Sequence, residues 1–197
     1  MTYSSPLRID ASTGLLDGVP FIESPNQDAR PPGAAIDLVV VHGISLPPGQ
    51  FGEAWVEALF TNRLPVDAHP FFKSIEGLQV SAHFYVRRDG RALQFVPCHR
   101  RAWHAGASVW RHRLACNDFS IGIELEGTDD APYEAVQYQV LAQIIAALER
   151  AYPSLGQAPV VGHSDVAPGR KTDPGSGFDW ERLASLRSDA SRKGAEP

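Results

Sequence analysis

The chain has 197 residues, 43% of them apolar, and a formal net charge of −5. That length supports one domain with a substantial core and is short for two. The ordinary apolar content excludes disorder away from the ends, and the acidic balance excludes nucleic acid or an anionic membrane surface as the main partner, since both reward a basic footprint. The two cysteines, Cys98 and Cys116, form no CxxC pair and are too few for a disulfide scaffold or an all-thiolate metal site. The first 18 residues set Arg8, Asp10 and Asp17 among small residues, without the apolar run of a secretory signal. No window approaches the ~20 apolar residues of a membrane span. The expected compartment is the cytoplasm.

In chain order, residues 1–35 are rich in Pro, Gly and Asp and read as an extended arm wrapped on a core. The apolar, β-branched run Ile36-Asp37-Leu38-Val39-Val40-Val41 reads as a buried strand that stops at His42-Gly43. A turn at Pro47-Pro48-Gly49 leads to a short helix over 51–60, with Phe51, Trp55 and Leu59 on one face. Residues 78–97 alternate as a hairpin about Asp89-Gly90. Residues 119–126 form a strand with Ile121, Ile123 and Leu125 on one face and Ser120, Gly122, Glu124 and Glu126 on the other. Between 134 and 150, Val136, Val140, Ile144 and Leu148 recur with a helical period, and Tyr152-Pro153 ends the helix. Val160-Val161-Gly162-His163 is a short strand end. Residues 178–187 read as a last amphipathic helix with Asp179 near its N-cap, and 188–197 as a frayed tail. This order implies a single α/β domain over 1–197, with a mixed central β-sheet flanked by helices.

His42 and His163 each follow a β-branched run, and strand carboxyl ends are where α/β sheets form ligand crevices. Asp173 follows His163 by ten residues, and Pro174 biases it away from helical geometry. Two imidazoles and a carboxylate suit a catalytic zinc, which keeps its fourth position for water; spacing alone makes this a weak signal, since a strand-end histidine is commonly structural. In an extended segment Lys171 projects to the same side as Asp173, where an ammonium suits an oxyanion. Glu124 or Glu126, which share a strand face, would suit a general base; the pattern does not choose between them.

Five segments carry a resemblance: His42-Gly43-Ile44-Ser45-Leu46-Pro47-Pro48-Gly49, Val80-Ser81-Ala82-His83-Phe84, Arg101-Ala102-Trp103-His104-Ala105-Gly106, the run from Cys116 to Thr128, and the run from Gly162 to Gly175. In this order and spacing, from about Gly14 to Leu186, the chain resembles the type 2 N-acetylmuramoyl-L-alanine amidases. That family includes T7-type lysozyme and the peptidoglycan recognition proteins. The resemblance is to its branch acting on 1,6-anhydromuropeptides, and it implies their fold and one Zn2+ per chain on His42, His163 and Asp173. It also implies Glu124 as the catalytic carboxylate and Lys171 as the oxyanion partner. Aspartate at 173, where the phage lysozymes have cysteine, marks the branch. The implied substrate is a soluble muropeptide of cell-wall recycling, whose level bears on β-lactamase induction where that circuit exists; no nucleic acid, membrane or obligate protein partner is implied. The chain departs from the family in having Gly43 where Asn is expected after the first histidine.

Three further residues are candidates for substrate binding. Trp103 and His104 would line the cleft. Arg113, in the basic stretch 99–113, would receive a stem-peptide carboxylate, because arginine binds carboxylates bidentately. His83 reads as packing behind the site and Cys116 as a small buried residue. The competing readings are a non-catalytic muropeptide-binding module, which would be expected to lack a zinc ligand, and a phage endolysin acting on intact wall.

Overall fold

The computed structural model describes residue 3, residues 5–156 and residues 158–193. The strands are β1 (Ile9–Asp10), β2 (Leu15–Leu16), β3 (Gln27–Ala29), β4 (Leu38–Ile44), β5 (Phe84–Val86), β6 (Ala92–Gln94), β7 (Arg100–Ala102), β8 (Val109–Trp110), β9 (Arg113–Leu114), β10 (Ser120–Glu126) and β11 (Val160–Gly162). The helices are α1 (Trp55–Phe60), α2 (Pro70–Ser74), α3 (Ala135–Ala151), α4 (His163–Val166) and α5 (Trp180–Lys193). A five-stranded sheet in the order β11-β4-β10-β5-β6 forms the centre. Its first four strands run parallel and β6 returns antiparallel to β5. This is the mixed α/β fold expected from the order of elements.

Period-2 alternation divides the sheet into two faces. Val39, Val41, Ile121, Ile123 and Leu125 pack against α3 and α5, where Val140, Leu141, Ile144, Leu148 and Leu183 complete the main core. The burial of each such side chain contributes roughly 1.5–3 kcal/mol. Gln137 joins helix to sheet: its Oε1 accepts the Glu134 N–H in a capping box, and its Nε2 donates to the carbonyls of Val86 and Glu126. On the opposite face Leu38 and Val40 pack with Ala105, Cys116 and Val166. His42, Glu124 and Glu126 share the parity of this second face. The β4–β10 register sets Glu124 beside His42.

Several boundaries differ from the sequence reading for identifiable reasons. β4 does not stop at His42-Gly43; its pairing with β10 carries it on to Ile44. Helix α1 begins at Trp55, because Gly52 has φ +90° and breaks the helical path, leaving Phe51 exposed beneath the Arg88 guanidinium. Helix α5, capped by Asp179 Oδ1 on the Arg182 N–H, continues to Lys193, beyond the last apolar contact at Leu186. The expected tail therefore includes helical backbone over 188–193, and residues 194–197 lie outside those described. In the N-terminal stretch, Leu7, Leu16 and Val19 join the core, and β3 pairs with β7.

Candidate active site

Three donor atoms from separate elements converge near the carboxyl ends of the parallel strands. His42 is supplied by β4. His163 opens α4 directly after β11, and Asp173 lies on the loop that returns past it, its carbonyl accepting the Ser164 N–H. His42 Nδ1 lies 2.9 Å from His163 Nδ1, and Asp173 Oδ2 lies 3.3 Å from the first and 3.1 Å from the second. These atoms could hold a metal ion. A tetrahedral zinc with bonds of about 2.0–2.1 Å sets its donors about 3.3 Å apart, close to the spacings found. The chemistry agrees: His163 Nε2 faces the Ala105 carbonyl at 3.2 Å, which requires the proton on Nε2 and leaves a lone pair on Nδ1. Acceptors gathered at one point fit a cation.

Electrostatics around His42 and Asp173 favours their metal-binding forms. Burial holds His42 down to about 4, with Asp173 opposing, so the ring is neutral. Burial pushes the Asp173 carboxyl up, but the imidazoles of His163 and His42 more than reverse this and keep it ionised.

Glu124 Oε1 is 4.0 Å from His42 Nδ1, and Glu124 Oε2 is buried with no hydrogen-bond partner among the described residues. Burial first, then the Asp173 charge, raises its pKa well above the usual range, while Lys171 opposes. An under-satisfied carboxylate at the rim of a metal-binding cluster is suited to exchanging protons with a water there. Lys171 is exposed, and its charge reaches both His42 and Glu124.

Glu126, equivalent by strand parity, is committed elsewhere. Its Oε1 accepts the Gly52 N–H at 2.6 Å and its Oε2 the Arg88 N–H at 3.0 Å. It ties the loop after β4 to the β5–β6 turn and presents no unpaired oxygen to the cluster.

The three substrate-binding candidates are not brought together. His104 lies behind the cluster rather than along an open wall, 8% exposed, with Nδ1 2.9 Å from His42 Nε2. Trp103 is half-buried; its backbone joins Asn26 and Ser81, and its indole neighbours the Asp28 carboxylate. Arg113 donates through Nη1 to both carboxylate oxygens of Asp37, at 2.9 and 2.7 Å, and stacks on Phe119. Asp37 immediately precedes β4, roughly 16 Å of strand from His42. Arg113 is therefore not at the cluster, and its Nη1 is engaged by Asp37. His83 is buried, its Nδ1 accepting the Gly122 N–H.

Sequence reasoning missed Tyr133, which explains Gly43. A Cβ on Gly43 would lie 2.2 Å from the Tyr133 hydroxyl, and one on Gly127 would lie 2.2 Å from its ring. Tyr133 occupies the space a side chain at 43 would need, and its hydroxyl donates to the Pro174 carbonyl at 3.0 Å, one residue beyond Asp173. Two glycines, 43 and 127, were its sequence signal, but only the fold brings them onto one ring.

Residues 32–176 match the N-acetylmuramoyl-L-alanine amidase family, Amidase_2. The chain is 53% identical over 175 residues to the 1,6-anhydro-N-acetylmuramyl-L-alanine amidase AmpD of Escherichia coli K12, covering 89% of this chain and 95% of that protein. A crystal structure of a selenomethionine derivative of AmpD superposes with a TM-score of 0.87 at 50% identity, covering 90% of this chain and 98% of that one. The E. coli amidase AmiD, solved with anhydro-N-acetylmuramic acid-L-Ala-D-γ-Glu-L-Lys, superposes with a TM-score of 0.55 at 31% identity, covering 80% of this chain and 60% of that one. On the extent of these matches, the chain belongs to the N-acetylmuramoyl-L-alanine amidase family.

Proposed function

We propose that the protein is a zinc-dependent amidase that hydrolyses the amide between the lactyl group of 1,6-anhydro-N-acetylmuramic acid and L-alanine in peptidoglycan recycling. The observation that carries this reading is the convergence of His42 Nδ1, His163 Nδ1 and Asp173 Oδ2, with the unpaired Glu124 Oε2 beside them. The relatives support the substrate: AmpD is named for the anhydromuramyl-L-alanine bond, and AmiD was solved with such a fragment. For a soluble turnover fragment taken up by the cell, the compartment we propose is the cytoplasm. Where an inducible β-lactamase responds to such fragments, this activity would lower the signal.

His42, His163 and Asp173 would hold one zinc ion. Zinc bound there supplies a Lewis acid for the amide carbonyl and brings the pKa of water at its open position down to about 7. Glu124 takes the proton of the attacking water, which its raised pKa lets it retain, and delivers that proton to the nitrogen of L-alanine as the C–N bond breaks. Lys171 places its ammonium by the oxygen that gains charge in the tetrahedral state. The Lys171 charge opposes the rise that burial and Asp173 impose on Glu124, which favours the ionised carboxylate that takes the water's proton.

The test is hydrolysis of anhydromuropeptide and of intact sacculi by the purified protein, side by side, before and after zinc is removed and restored. Zinc-dependent release of free L-alanyl peptide from the anhydro fragment, well above release from sacculi, supports the reading. Equal or greater activity on sacculi supports the endolysin reading, and tight muropeptide binding without hydrolysis supports a recognition module.

A further inference from the structure

Resting on the zinc reading above, we propose that His104, with Ser120 and Asn117 behind it, is a positioning residue that locks the proton of His42 on Nε2, so that Nδ1 is offered to the metal. The direction of each hydrogen bond follows from the last member of the chain. Ser120 Oγ lies 2.6 Å from the Cys116 carbonyl, which can only accept, so the hydroxyl proton points there. Ser120 Oγ therefore has only lone pairs for His104 Nε2, 3.1 Å away, and that nitrogen must carry the proton. His104 is buried, and its ring nitrogens face only His42 and Ser120 among the described residues, with no carboxylate to hold a second proton, so the ring is neutral. A neutral ring protonated on Nε2 has a lone pair on Nδ1, and this atom faces His42 Nε2 at 2.9 Å. His42 donates there, which leaves its own Nδ1 unprotonated toward His163 and Asp173.

The same short segment serves the second imidazole. Asn117 Oδ1 accepts the N–H groups of both His104 and Ala105, at 3.2 and 2.8 Å. The clamped Ala105 carbonyl in turn takes the proton of His163 Nε2. One side chain on the short turn before β10 thus holds both the ring that orients His42 and the carbonyl that orients His163. Gly122 provides the space: a Cβ there would come within 2.4 Å of His104 Cγ. Groups behind a metal ligand that fix its tautomer typically change metal affinity about 10–100-fold when removed.

The experiment measures the zinc dissociation constant of the metal-free full-length protein by competition with a chromophoric chelator, and the 15N spectrum of its zinc-loaded, histidine-labelled form. His104→Leu should weaken zinc about 10–100-fold and remove the protected His42 Nε2–H signal, with the thermal midpoint of the metal-free protein little changed. His104→Asn, whose Oδ1 can stand near the Nδ1 position, should recover most of the affinity. Ser120→Ala should shift affinity in the direction of His104→Leu but less. Folded His104→Leu that binds zinc within twofold of wild type, or that loses thermal stability without losing affinity, overturns the proposal. Should His104→Leu not fold, Ser120→Ala decides: unchanged affinity and an unchanged His42 Nε2–H signal overturn it. Wild-type protein that does not bind zinc would instead overturn the underlying reading.

Discussion

Glu124 and Glu126 are two residues apart on one strand face, yet the fold gives them opposite surroundings. Glu124 stands opposite His42 in the β4–β10 register with one oxygen unpaired among the described residues; Glu126 stands opposite Ile44 with both oxygens bonded to backbone N–H groups. Substitution should separate the two. Glu124→Ala is expected to retain zinc and the fold while kcat falls about 10²–10⁴-fold with little change in KM, because a general base interacts most strongly in the transition state. Lys171→Ala should lose about 10²–10³-fold in the same way. Steady-state kinetics with parallel metal analysis checks both, and near-wild-type turnover in Glu124→Ala would remove the proposed base. Glu126→Ala should fail differently: two N–H groups lose their acceptor, at a cost of about 1–3 kcal/mol each where water does not replace it. A lower urea midpoint, with zinc content kept by the folded fraction, is the expected sign. Strand parity was legible in the sequence, but which carboxylate meets His42 is a matter of register between strands some 80 residues apart, which no local pattern encodes.

At the scale of elements, the long periodic stretches were legible and the short ones were not. Strands β4 and β10 and helix α3 each repeat an apolar period often enough to identify, and their faces agree with the core found. The pairs β1–β2 and β8–β9 have two residues per strand, and β3–β7 has three, too few for any period to register. Arg113 lies in one of these short strands, β9, whose hairpin turns it onto Asp37. Arg113→Ala should accordingly leave kcat/KM within about twofold on substrates with and without a stem peptide, as for an exposed pair with modest coupling. A selective loss on the peptide-bearing substrate would restore a binding role. The loop from β10 to α3 makes the opposite demand. Tyr133 fills the space over Gly43 and holds the Pro174 carbonyl beside Asp173. Tyr133→Phe should weaken zinc binding, read by chelator competition, while Gly43→Asn should lower the thermal midpoint by forcing that ring aside. Unchanged values in both variants would mean that the ring has no hold on the third ligand.

The whole molecule shows why the site lies where it does. Three parallel strands, β11, β4 and β10, end on one side of the sheet, and the face away from α3 collects His42, Glu124 and the start of α4. Parallel order makes neighbours of residues far apart in the chain: His163 comes to His42 across 121 positions. The strand-end histidines and the Pro-flanked aspartate were visible in the sequence as separate hints; their convergence needed the topology, and the resemblance to the amidase family supplied it in advance. His104, Ser120 and Asn117 carried no comparable signal, because their roles depend on which atom of each ring or amide faces which neighbour. The claim on which the account stands is that this convergence holds a zinc ion. Metal analysis of the purified wild type, His42→Ala and His163→Ala tests it most directly: near one zinc per chain in the wild type and a large loss in both variants is the expected result, and full zinc retention in both variants, or a zinc-free wild type after growth with zinc, would contradict it.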